Sequence, residues 1–495
     1  MSYLLALDQG TTSSRAIIFD EKGQIHATAQ RETRIKTPNS GWVEQDANEI
    51  WSSQIAVIQQ ALASAHILAK DIKALGLTNQ RETTVVWDKR TGKALAPAII
   101  WQDRRAAQWC NTLIENGMLV QVQQKTGLRI DPYFSAGKLV WLLENIAGFR
   151  ILAEQGHAAF GTIDSWLVWN LTQGAEHIIE ASNASRTMLM NLSTQMWDED
   201  LLNKFNIPAA ILPKIISSDA YVADTAQGLL GSTIPITGIL GDQQAALFGQ
   251  SCFEVGSAKN TYGTGCFMLF NTGDQLQFSQ NQLLTTLAWQ CQNQTRYALE
   301  GSVFMAGAIV QWLRDGLGLI QHSAQVEQLA SQVQSTEGVV LVPAFTGLGA
   351  PHWDSEARAL LCGMSRGTTK AHIARAALEA IAFQVSDVLC AMQSDLSRPL
   401  KELRVDGGAS QNDMLMQFQA DILNVPVLRP KMLESTAWGA AAMAGLKAGV
   451  FTNLDEIAAS WQLDRTFEPK MKNDERESRL CEWSQALKRA KSNLI

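Results

Sequence analysis

Four segments of the sequence place a glycine-containing turn directly after an apolar run, and three of these turns carry a carboxylate. In the first, Leu4–Asp20, the apolar run ends at Asp8, and Gly10 with two threonines and two serines precedes a second apolar run. This order predicts a strand, a tight turn and a strand. The backbone amides and hydroxyl groups of the turn, beside Asp8 and Arg15, suit a phosphate group and its metal ion. Taken alone, the segment could equally be an ordinary hairpin rich in small polar residues.

The other three segments favour the functional interpretation. Ile236–Gln250 has Gly-Asp between an apolar run and a helical pattern, and Asn260–Phe270 is a second strand, turn and strand. Leu403–Leu423 has Asp-Gly-Gly after a strand and predicts a helix that begins near Ser410. The sequence contains no G-x-x-x-x-G-K-[ST] segment, so a P-loop is not the source of a phosphate site.

Two of the carboxylates, Asp8 and Asp242, end apolar strands and could serve a metal ion and a base in phosphoryl transfer. That reaction needs in-line positioning, neutralisation of the charge on the transferred group, and a base for the attacking hydroxyl. For either residue alone, a cap at the end of a strand is the commoner role. Their joint placement in two glycine-flanked turns makes that explanation insufficient.

The elements around these turns predict two α/β domains. Ile72–Leu77 reads as a buried strand with Gln80–Glu82 directly past its carboxyl end, where ligands bind in open α/β sheets. The second half restarts with a hairpin at Lys259–Phe270 that is similar to the first. A chain of 495 residues is also too long for one core. We therefore predict an N-terminal domain of residues 1–250 and a C-terminal domain of residues 251–495.

Three long helical patterns lie in the second half. Thr369–Met392 shows apolar residues at the helical period, and Trp438–Gly445 is a small-residue segment suited to close packing. Met471–Lys491 is highly charged, with Trp483 and two leucines on one side. We expect this last segment to dock on the core as an amphipathic helix.

Composition indicates a globular protein that works in the cytoplasm. A net charge of −7 and a pI near 5.6 argue against a general nucleic-acid or anionic-membrane surface. The seven cysteines are scattered without a C-x-x-C pair, which favours reduced thiols. No apolar stretch reaches the roughly 20 residues of a membrane helix, so we expect no stable membrane insertion.

Four motifs resemble those of the glycerol kinases, carbohydrate kinases within the sugar-kinase, actin and heat-shock ATPase superfamily. The motifs are TNQRETTVVW at Thr78–Trp87, IDPYFSAGKL at Ile130–Leu139, GDQQAALFGQ from Gly241 and NTYGTGCF from Asn260. The likeness runs from Leu4 to about Gly449. It implies two ribonuclease-H-like (actin-like ATPase) domains with the nucleotide and the substrate in the cleft between them. It also implies ATP-dependent phosphorylation of glycerol to sn-glycerol 3-phosphate.

The resemblance assigns roles around the phosphates. It implies that Asp242 is the catalytic base, that Arg15 stabilises the transferred phosphate, and that Asp8 holds Mg²⁺ through water. The positions that match the nucleotide site of the family are Thr11, Thr12, Ser13, Arg15, Thr264, Gly307, Gln311, Gly408 and Asn412.

The resemblance also assigns a glycerol site. Arg81 would supply a fork of donors and Glu82 an acceptor, and Trp101 with Phe267 would form an aromatic wall for the carbon edge. The complete implied set is Arg81, Glu82, Trp101, Tyr133, Asp242, Gln243 and Phe267.

Two other functions stay open at the level of the sequence. A related kinase could act on another polyol or a ketopentose, although RET at Arg81–Thr83 and DPYFS at Asp131–Ser135 favour glycerol. A non-catalytic nucleotide-binding protein of the actin type would have no use for Arg81, Glu82 and Tyr133 beside Asp242.

Partners beyond the substrates are implied only by the resemblance, which suggests a homodimer or homotetramer. Some relatives bind fructose 1,6-bisphosphate at a basic loop, but Ala226–Gly238 contains no cation here. Others carry a phosphorylated histidine, but none occurs between His177 and His322. Glu475 matches a glutamate that a regulatory sugar-uptake protein contacts in some enteric bacteria. An ordinary surface glutamate is the simpler interpretation, because its neighbours differ.

Overall fold

A six-stranded sheet is formed by the first half of the chain in the computed structural model, which describes residues 2–396 and 398–492. Its strands are β1 (Tyr3–Gln9), β2 (Ser13–Asp20), β3 (Ile25–Glu32), β4 (Ile72–Asn79), β5 (Ala223–Asp224) and β6 (Pro235–Gly241). They lie in the order β5-β6-β4-β1-β2-β3. Strands β1, β4 and β6 are parallel, and the first hairpin is antiparallel as predicted.

A seven-stranded sheet is formed by the second half. Its strands are β7 (Ala258–Tyr262), β8 (Cys266–Gly273), β9 (Leu284–Cys291), β10 (Gln294–Val303), β11 (Leu403–Asp406), β12 (Val427–Pro430) and β13 (Leu463–Phe467). They lie in the order β9-β10-β8-β7-β11-β12-β13. Each sheet therefore contains an antiparallel hairpin, and the first strand of that hairpin has parallel strands on its other side. The α/β class and the similarity of the two halves are confirmed.

Helices cover both sheets. They are α1 (Ala47–Ala65), α2 (Ala107–Glu115), α3 (Leu119–Thr126), α4 (Ser135–Asn145), α5 (Phe149–Glu154), α6 (Ile163–Leu171), α7 (Ala181–Ala184), α8 (Glu199–Lys204), α9 (Asp242–Gly249), α10 (Gly307–Gln311), α11 (Gln325–Ala330), α12 (Lys370–Leu396), α13 (Asp413–Leu423), α14 (Ser435–Lys447), α15 (Leu454–Ala459) and α16 (Asn473–Ala490). Five short strand pairs complete the fold, namely Glu44–Gln45 with Ala98–Ile99, Val85–Asp88 with Ala158–Gly161, Ile178–Glu180 with Lys214–Ile216, Met190–Asn191 with Met196–Trp197, and Val340–Val342 with Leu360–Cys362.

Strand β1 is buried on both faces. Its residues Leu5 and Leu7 share a core cluster with helix α1, and Leu4 and Ala6 share another with α14. All four are completely buried, which explains why the strand reads as a continuous apolar run rather than an alternating one. Helix α1 begins where the side chain of Asp46 accepts a hydrogen bond from the backbone amide of Asn48.

Helix α14 comes from the second half but packs against the first sheet and helix α9. A side chain on Gly76 of β4 would lie 2.1 Å from the carbonyl oxygen of Ala440. A side chain on Gly439 would lie 1.9 Å from the carbonyl oxygen of Ala245. The backbones meet without side chains between them, so the predicted close packing of this small-residue helix is confirmed.

The start of helix α13 differs from the sequence prediction. A 3₁₀ turn at Gly408–Gln411 comes first, and the α-helix begins at Asp413 instead of near Ser410. The reason is a cap, because the side chain of Asn412 accepts a hydrogen bond from the backbone amide of Leu415.

The charged tail forms helix α16 and docks on the core, as predicted, with α12 as one of its partners. Trp483 is almost completely buried and stacks on Phe383 with ring centroids 5.3 Å apart. Its indole nitrogen donates a hydrogen bond to Asp387. Glu475 lies exposed in the first turn of this helix. Among the described residues, no helix combines the length and the apolar character needed to cross a membrane.

Candidate active site

The first hairpin turn, the loop after β4 and the start of α9 meet at one edge of the first sheet. Parallel pairing sets Asp8 opposite Thr78, and Asn79 pairs with both Gln9 and Gly241. The three segments that the sequence analysis singled out therefore lie side by side, because the carboxyl ends of parallel strands share an edge.

Asp8 interacts electrostatically with two other carboxylates, Glu434 and Asp242, and with Arg15. Arg15 Nη1 donates a 2.9 Å hydrogen bond to Glu434 Oε2. Burial raises the pKa of Asp8 to about 7, Arg15 opposes this rise, and Glu434 and Asp242 add to it. Among residues 2–396 and 398–492, no three histidine, cysteine or acidic side chains could hold a metal ion by themselves. Mg²⁺ takes one or two carboxylates and completes its shell with water and phosphate oxygens, so the carboxylate of Asp8 is of the chemical type that such an ion uses.

Asp242 is the first residue of helix α9 and follows strand β6 directly. Its Oδ1 accepts a 2.7 Å hydrogen bond from the backbone amide of Gln243 and lies 3.2 Å from Arg81 Nε. Burial raises the pKa of Asp242, while Arg81 and Lys259 act in the opposite direction. A carboxylate with a raised pKa is a better proton acceptor than an ordinary one.

Arg81 and Glu82 belong to a buried network with two residues that the sequence analysis missed. Arg81 donates to Glu300 through Nη1 at 2.5 Å and through Nη2 at 3.0 Å. Arg186 donates through Nε to Glu82 at 2.7 Å and through Nη2 to Glu300 at 2.9 Å. The donor fork that the sequence analysis assigned to the substrate is thus bonded to Glu300. The Nε side of Arg81 faces Asp242 and Glu82.

The backbone around Glu82 is held by Lys138. Glu82 has a left-handed φ of 58°, and its carbonyl oxygen accepts hydrogen bonds from Ser135 Oγ at 3.0 Å and from Lys138 Nζ at 3.3 Å. Lys138 is completely buried and also donates to the carbonyl oxygens of Tyr133 and Phe134. The motif Ile130–Leu139 therefore fixes two of the predicted substrate residues through one lysine, a role that its sequence does not reveal.

An aromatic wall stands beside this network. The Trp101 ring lies 5.8 Å from that of Tyr133 and 6.2 Å from that of Phe267. Trp101 Nε1 donates a 2.9 Å hydrogen bond to Thr11 Oγ1, which joins the wall to the first hairpin turn. Gln243 accepts a 2.6 Å hydrogen bond from Lys259 Nζ of the second half. The structure thus brings all seven predicted polyol-site residues together.

The second sheet gathers its predicted residues at one edge as well. The carbonyl oxygen of Thr264 accepts from the amides of Ala306 and Ala308, and the amide of Gly307 donates to Gly263. Pairing of β7 with β11 brings Gly408 to the same edge, where a Cβ atom on it would meet nothing within 4 Å. The remaining predicted nucleotide residues divide by exposure, with Thr12 and Gln311 exposed, Thr11 and Asn412 partly buried, and Ser13 buried.

Two sheets, each built around an antiparallel hairpin with parallel strands on one side, and with carboxylates and glycine turns at the ends of these strands, define a kinase of the actin-like ATPase fold. Residues 3–249 match the N-terminal domain of the FGGY family of carbohydrate kinases, and residues 258–448 match its C-terminal domain. The chain belongs to the FGGY family of carbohydrate kinases.

Relatives that align over almost the whole chain include glycerol kinases. The chain is 58% identical to a glycerol kinase of Deinococcus radiodurans over 489 residues, which are 99% of this chain and 97% of the relative. It is 56% identical to a glycerol kinase of Bordetella parapertussis over 493 residues, again 99% and 97% of the two chains. The structure of a Plasmodium falciparum glycerol kinase with ADP superposes with a TM-score of 0.92 at 36% identity, covering 100% of this chain and 99% of that one. A xylulose kinase of Lactobacillus acidophilus, at 22% identity and a TM-score of 0.88 over the whole of both chains, shares the fold.

Proposed function

We propose that the protein phosphorylates glycerol with ATP to give sn-glycerol 3-phosphate and ADP. The observation that carries this proposal is the position of Asp242, at the phosphate edge of the first sheet and 3.2 Å from Arg81 of the polyol residues. The full-length likeness to glycerol kinases supports the choice of glycerol. We place the reaction in the cytoplasm, because none of the seven cysteines, all within the described residues, forms a disulfide.

The site offers a triol both polar partners and an apolar wall. The Nε–H side of Arg81 can donate to one hydroxyl, and the carboxylates of Glu82 and Asp242 can accept from neighbouring hydroxyls. Tyr133 and Gln243 add further polar groups. The rings of Trp101 and Phe267 can contact the carbon edge, which carries no hydrogen-bonding group.

Asp242 acts as the base in direct in-line transfer. Its carboxylate accepts the proton of the attacking hydroxyl as the bond to phosphorus forms and the bond to the ADP oxygen breaks. Positioned bases of this kind contribute about 10²–10⁴-fold to a rate. The raised pKa of Asp242 favours proton uptake and fits this role.

The phosphates of ATP lie between the two hairpin turns in this proposal. Thr11, Thr12 and Ser13 contact them from the first turn and Thr264 from the second, and Arg15 stabilises the charge on the transferred group. Asp8 would hold Mg²⁺, which when bound neutralises phosphate charge and orients the transferred group.

The second half binds adenosine. The backbone at Gly307 and Gly408 allows a flat base to approach closely, and Gln311 and Asn412 offer side-chain amides to its polar edge. Because the Cβ direction of Gly408 is open, a larger residue there would enter this space. The proposed division into residues 1–250 and 251–495 then places the adenosine residues in the second domain and the polyol residues, apart from Phe267, in the first, with the transferred phosphate between them.

A coupled assay of ADP release tests the function. Purified protein receives MgATP with glycerol, with D-xylulose, or with no acceptor. We expect ADP release that depends on glycerol and a much weaker response to the ketopentose. Release with D-xylulose but not with glycerol would move the assignment to another sugar kinase, and release without any acceptor would indicate an ATPase.

A further inference from the structure

Glu300 is a carboxylate in the middle of an apolar strand of the second sheet. On β10 it pairs with Leu269 and Leu284 of the neighbouring strands, and its side chain is completely buried. Its partners, Arg81 and Arg186, both come from the first half and are equally inaccessible. A lone buried charge would be very costly, so this carboxylate depends on the two arginines and they depend on it.

The two arginines determine the charge state of Glu300. Burial alone would raise the pKa of this carboxyl group, but Arg186 and Arg81 outweigh burial and lower its pKa to about 2. At Glu82 the balance is the reverse, because burial raises the pKa more than the same two arginines lower it. Glu300 is therefore the charged carboxylate that both guanidinium groups stabilise.

The contacts of Glu300 orient the groups that face the polyol site. Its two oxygens bind both terminal nitrogens of Arg81, which fixes the plane of that guanidinium group. The Nε side is left 3.2 Å from Asp242 and 3.9 Å from Glu82. Through Arg186, Glu300 also fixes one oxygen of Glu82.

We propose that Glu300 is a positioning residue that turns Arg81 toward Asp242 and makes the site select neutral polyols over anionic ones. This rests on the proposed function. Two arginines beside a small-molecule site would ordinarily attract a carboxylate or phosphate. Here three acidic groups, Glu82, Asp242 and Glu300, lie beside them, and both terminal nitrogens of Arg81 are bonded to Glu300. Arg186 donates through Nε and Nη2 to Glu82 and Glu300, so only its Nη1 lacks a partner among the described residues, and one nitrogen cannot bind an anion in two-pronged fashion. An acid such as D-glycerate, which has a carboxylate in place of one CH₂OH of glycerol, would meet repulsion instead.

The variant Glu300→Gln tests the proposal, because it keeps the size and one acceptor but removes the charge. Glu379→Gln is the matched control, since Glu379 is also buried between two arginines, Arg375 and Arg479, but lies between helices α12 and α16. Both variants lose a buried ion pair and should lower the thermal midpoint of unfolding. Only a residue that positions the substrate site should change substrate selection.

The readouts are the KM values for glycerol and ATP and the competition constant of D-glycerate. For Glu300→Gln we expect a rise in KM for glycerol of about tenfold, little change in KM for ATP, and tighter glycerate binding, because lost hydrogen bonds free the guanidinium groups. Glu379→Gln should keep all three values. Equal KM changes for both substrates, or an unchanged glycerate constant, would overturn the proposal.

Two further measurements cover the case in which Glu300→Gln does not fold. Glu300→Asp keeps the charge at shorter reach, so it should raise the KM for glycerol without improving glycerate binding, and a normal KM would contradict the positioning role. In the unaltered protein D-glycerate should compete poorly, and strong competition would refute the selectivity. The unaltered protein also reports on the proposed function separately, through ADP release that depends on glycerol.

Discussion

At the residue scale, neighbouring carboxylates of the site have pKa values that move in opposite directions. Burial raises the pKa of Asp8, Glu82 and Asp242, whereas two arginines bonded to both oxygens lower that of Glu300. Removal from water raises the pKa of each of these carboxyl groups. Hydrogen bonds to the charged form and nearby opposite charges then decide whether the net pKa shift is upward or downward. In the site, Glu300 therefore has a structural role, whereas Asp8, Glu82 and Asp242 can accept protons or cations.

The role of Asp242 leads to the first prediction. In Asp242→Asn the amide cannot accept the hydroxyl proton, so turnover should fall by about 10²–10⁴-fold while nucleotide affinity stays near that of the unaltered protein. Steady-state kinetics and equilibrium binding of ADP measure the two effects. Asp224→Asn, an exposed carboxylate on β5, is the control. Turnover close to normal in Asp242→Asn would remove the assignment of the base.

A second prediction concerns His177 and pH. The imidazole Nε2 lies 2.8 Å from the carbonyl oxygen of Phe160, the Trp87 ring packs 5.3 Å away, and burial lowers the pKa of His177 to about 4. Below an unfolded pKa of about 6.5, the unfolded chain binds a proton that the folded protein does not bind until about pH 4. Stability should therefore fall as pH drops through this window, by up to about 3 kcal/mol.

Urea denaturation at pH 7.5 and pH 5 measures this effect. His177→Gln keeps an N–H donor but does not titrate, so its midpoint should fall less on acidification than that of the unaltered protein. His322→Gln changes an exposed histidine and should behave like the unaltered protein. An equal acid response in the His177 variant would show that this imidazole does not contribute.

Residue types in local motifs could be predicted from the sequence, whereas long-range partners could not. Asp8, Arg81 and Asp242 stand next to glycine turns or strand ends, and their neighbours in the chain reveal that position. Glu300 bonds Arg81 across 219 positions of sequence, and Arg186 bonds Glu82 across 104. The one available signal for Glu300 was an acidic residue inside an apolar strand.

At the element scale, hairpins and helices followed from local patterns, and their boundaries depended on single caps. Both hairpins formed where apolar runs flanked a glycine turn. Helix α13 began later than its apolar pattern suggested, because the side chain of Asn412 caps it. The small residues of α14 predicted close packing, but they could not show that its partner would be the first sheet.

The contact of α14 with α9 gives a third prediction. Gly439→Ala would place a methyl group 1.9 Å from the carbonyl oxygen of Ala245, so the helices must separate. We expect a loss of about 1–3 kcal/mol, the usual cost of overpacking. Gly367→Ala is the control, because its new methyl group would meet only Ser365 Oγ at 3.6 Å. Thermal unfolding compares them, and equal midpoints would contradict the tight contact.

At the scale of the whole molecule, buried polar contacts join the two sheets through the site. Glu300 reaches both arginines of the first half, and Lys259 bonds Gln243 from the second sheet. These contacts lie beside the proposed base, while Thr12 and Thr264 at the two hairpin turns are exposed. Motion that leaves the inner network intact would change mainly the distance between the turns.

The fourth prediction is that the halves close around ATP and glycerol. Closure excludes water from the transferred phosphate, as lids do in kinases generally. Small-angle scattering should show a smaller radius of gyration with glycerol and a non-hydrolysable ATP analogue together. Glycerol alone serves as the control and should have a smaller effect. An unchanged radius with both ligands would argue for a site that is already closed.

The position of α14 also means that the order of the chain and its spatial organisation do not coincide. A fragment ending at residue 250 would carry the first sheet without the helix that covers Leu4 and Ala6, and that apolar face would meet water. This face of the first sheet is covered only when the helix at residues 435–447, which comes late in the second half of the chain, is present. Anyone dividing this protein into complementary pieces, or permuting its ends, would have to keep that helix with the first sheet.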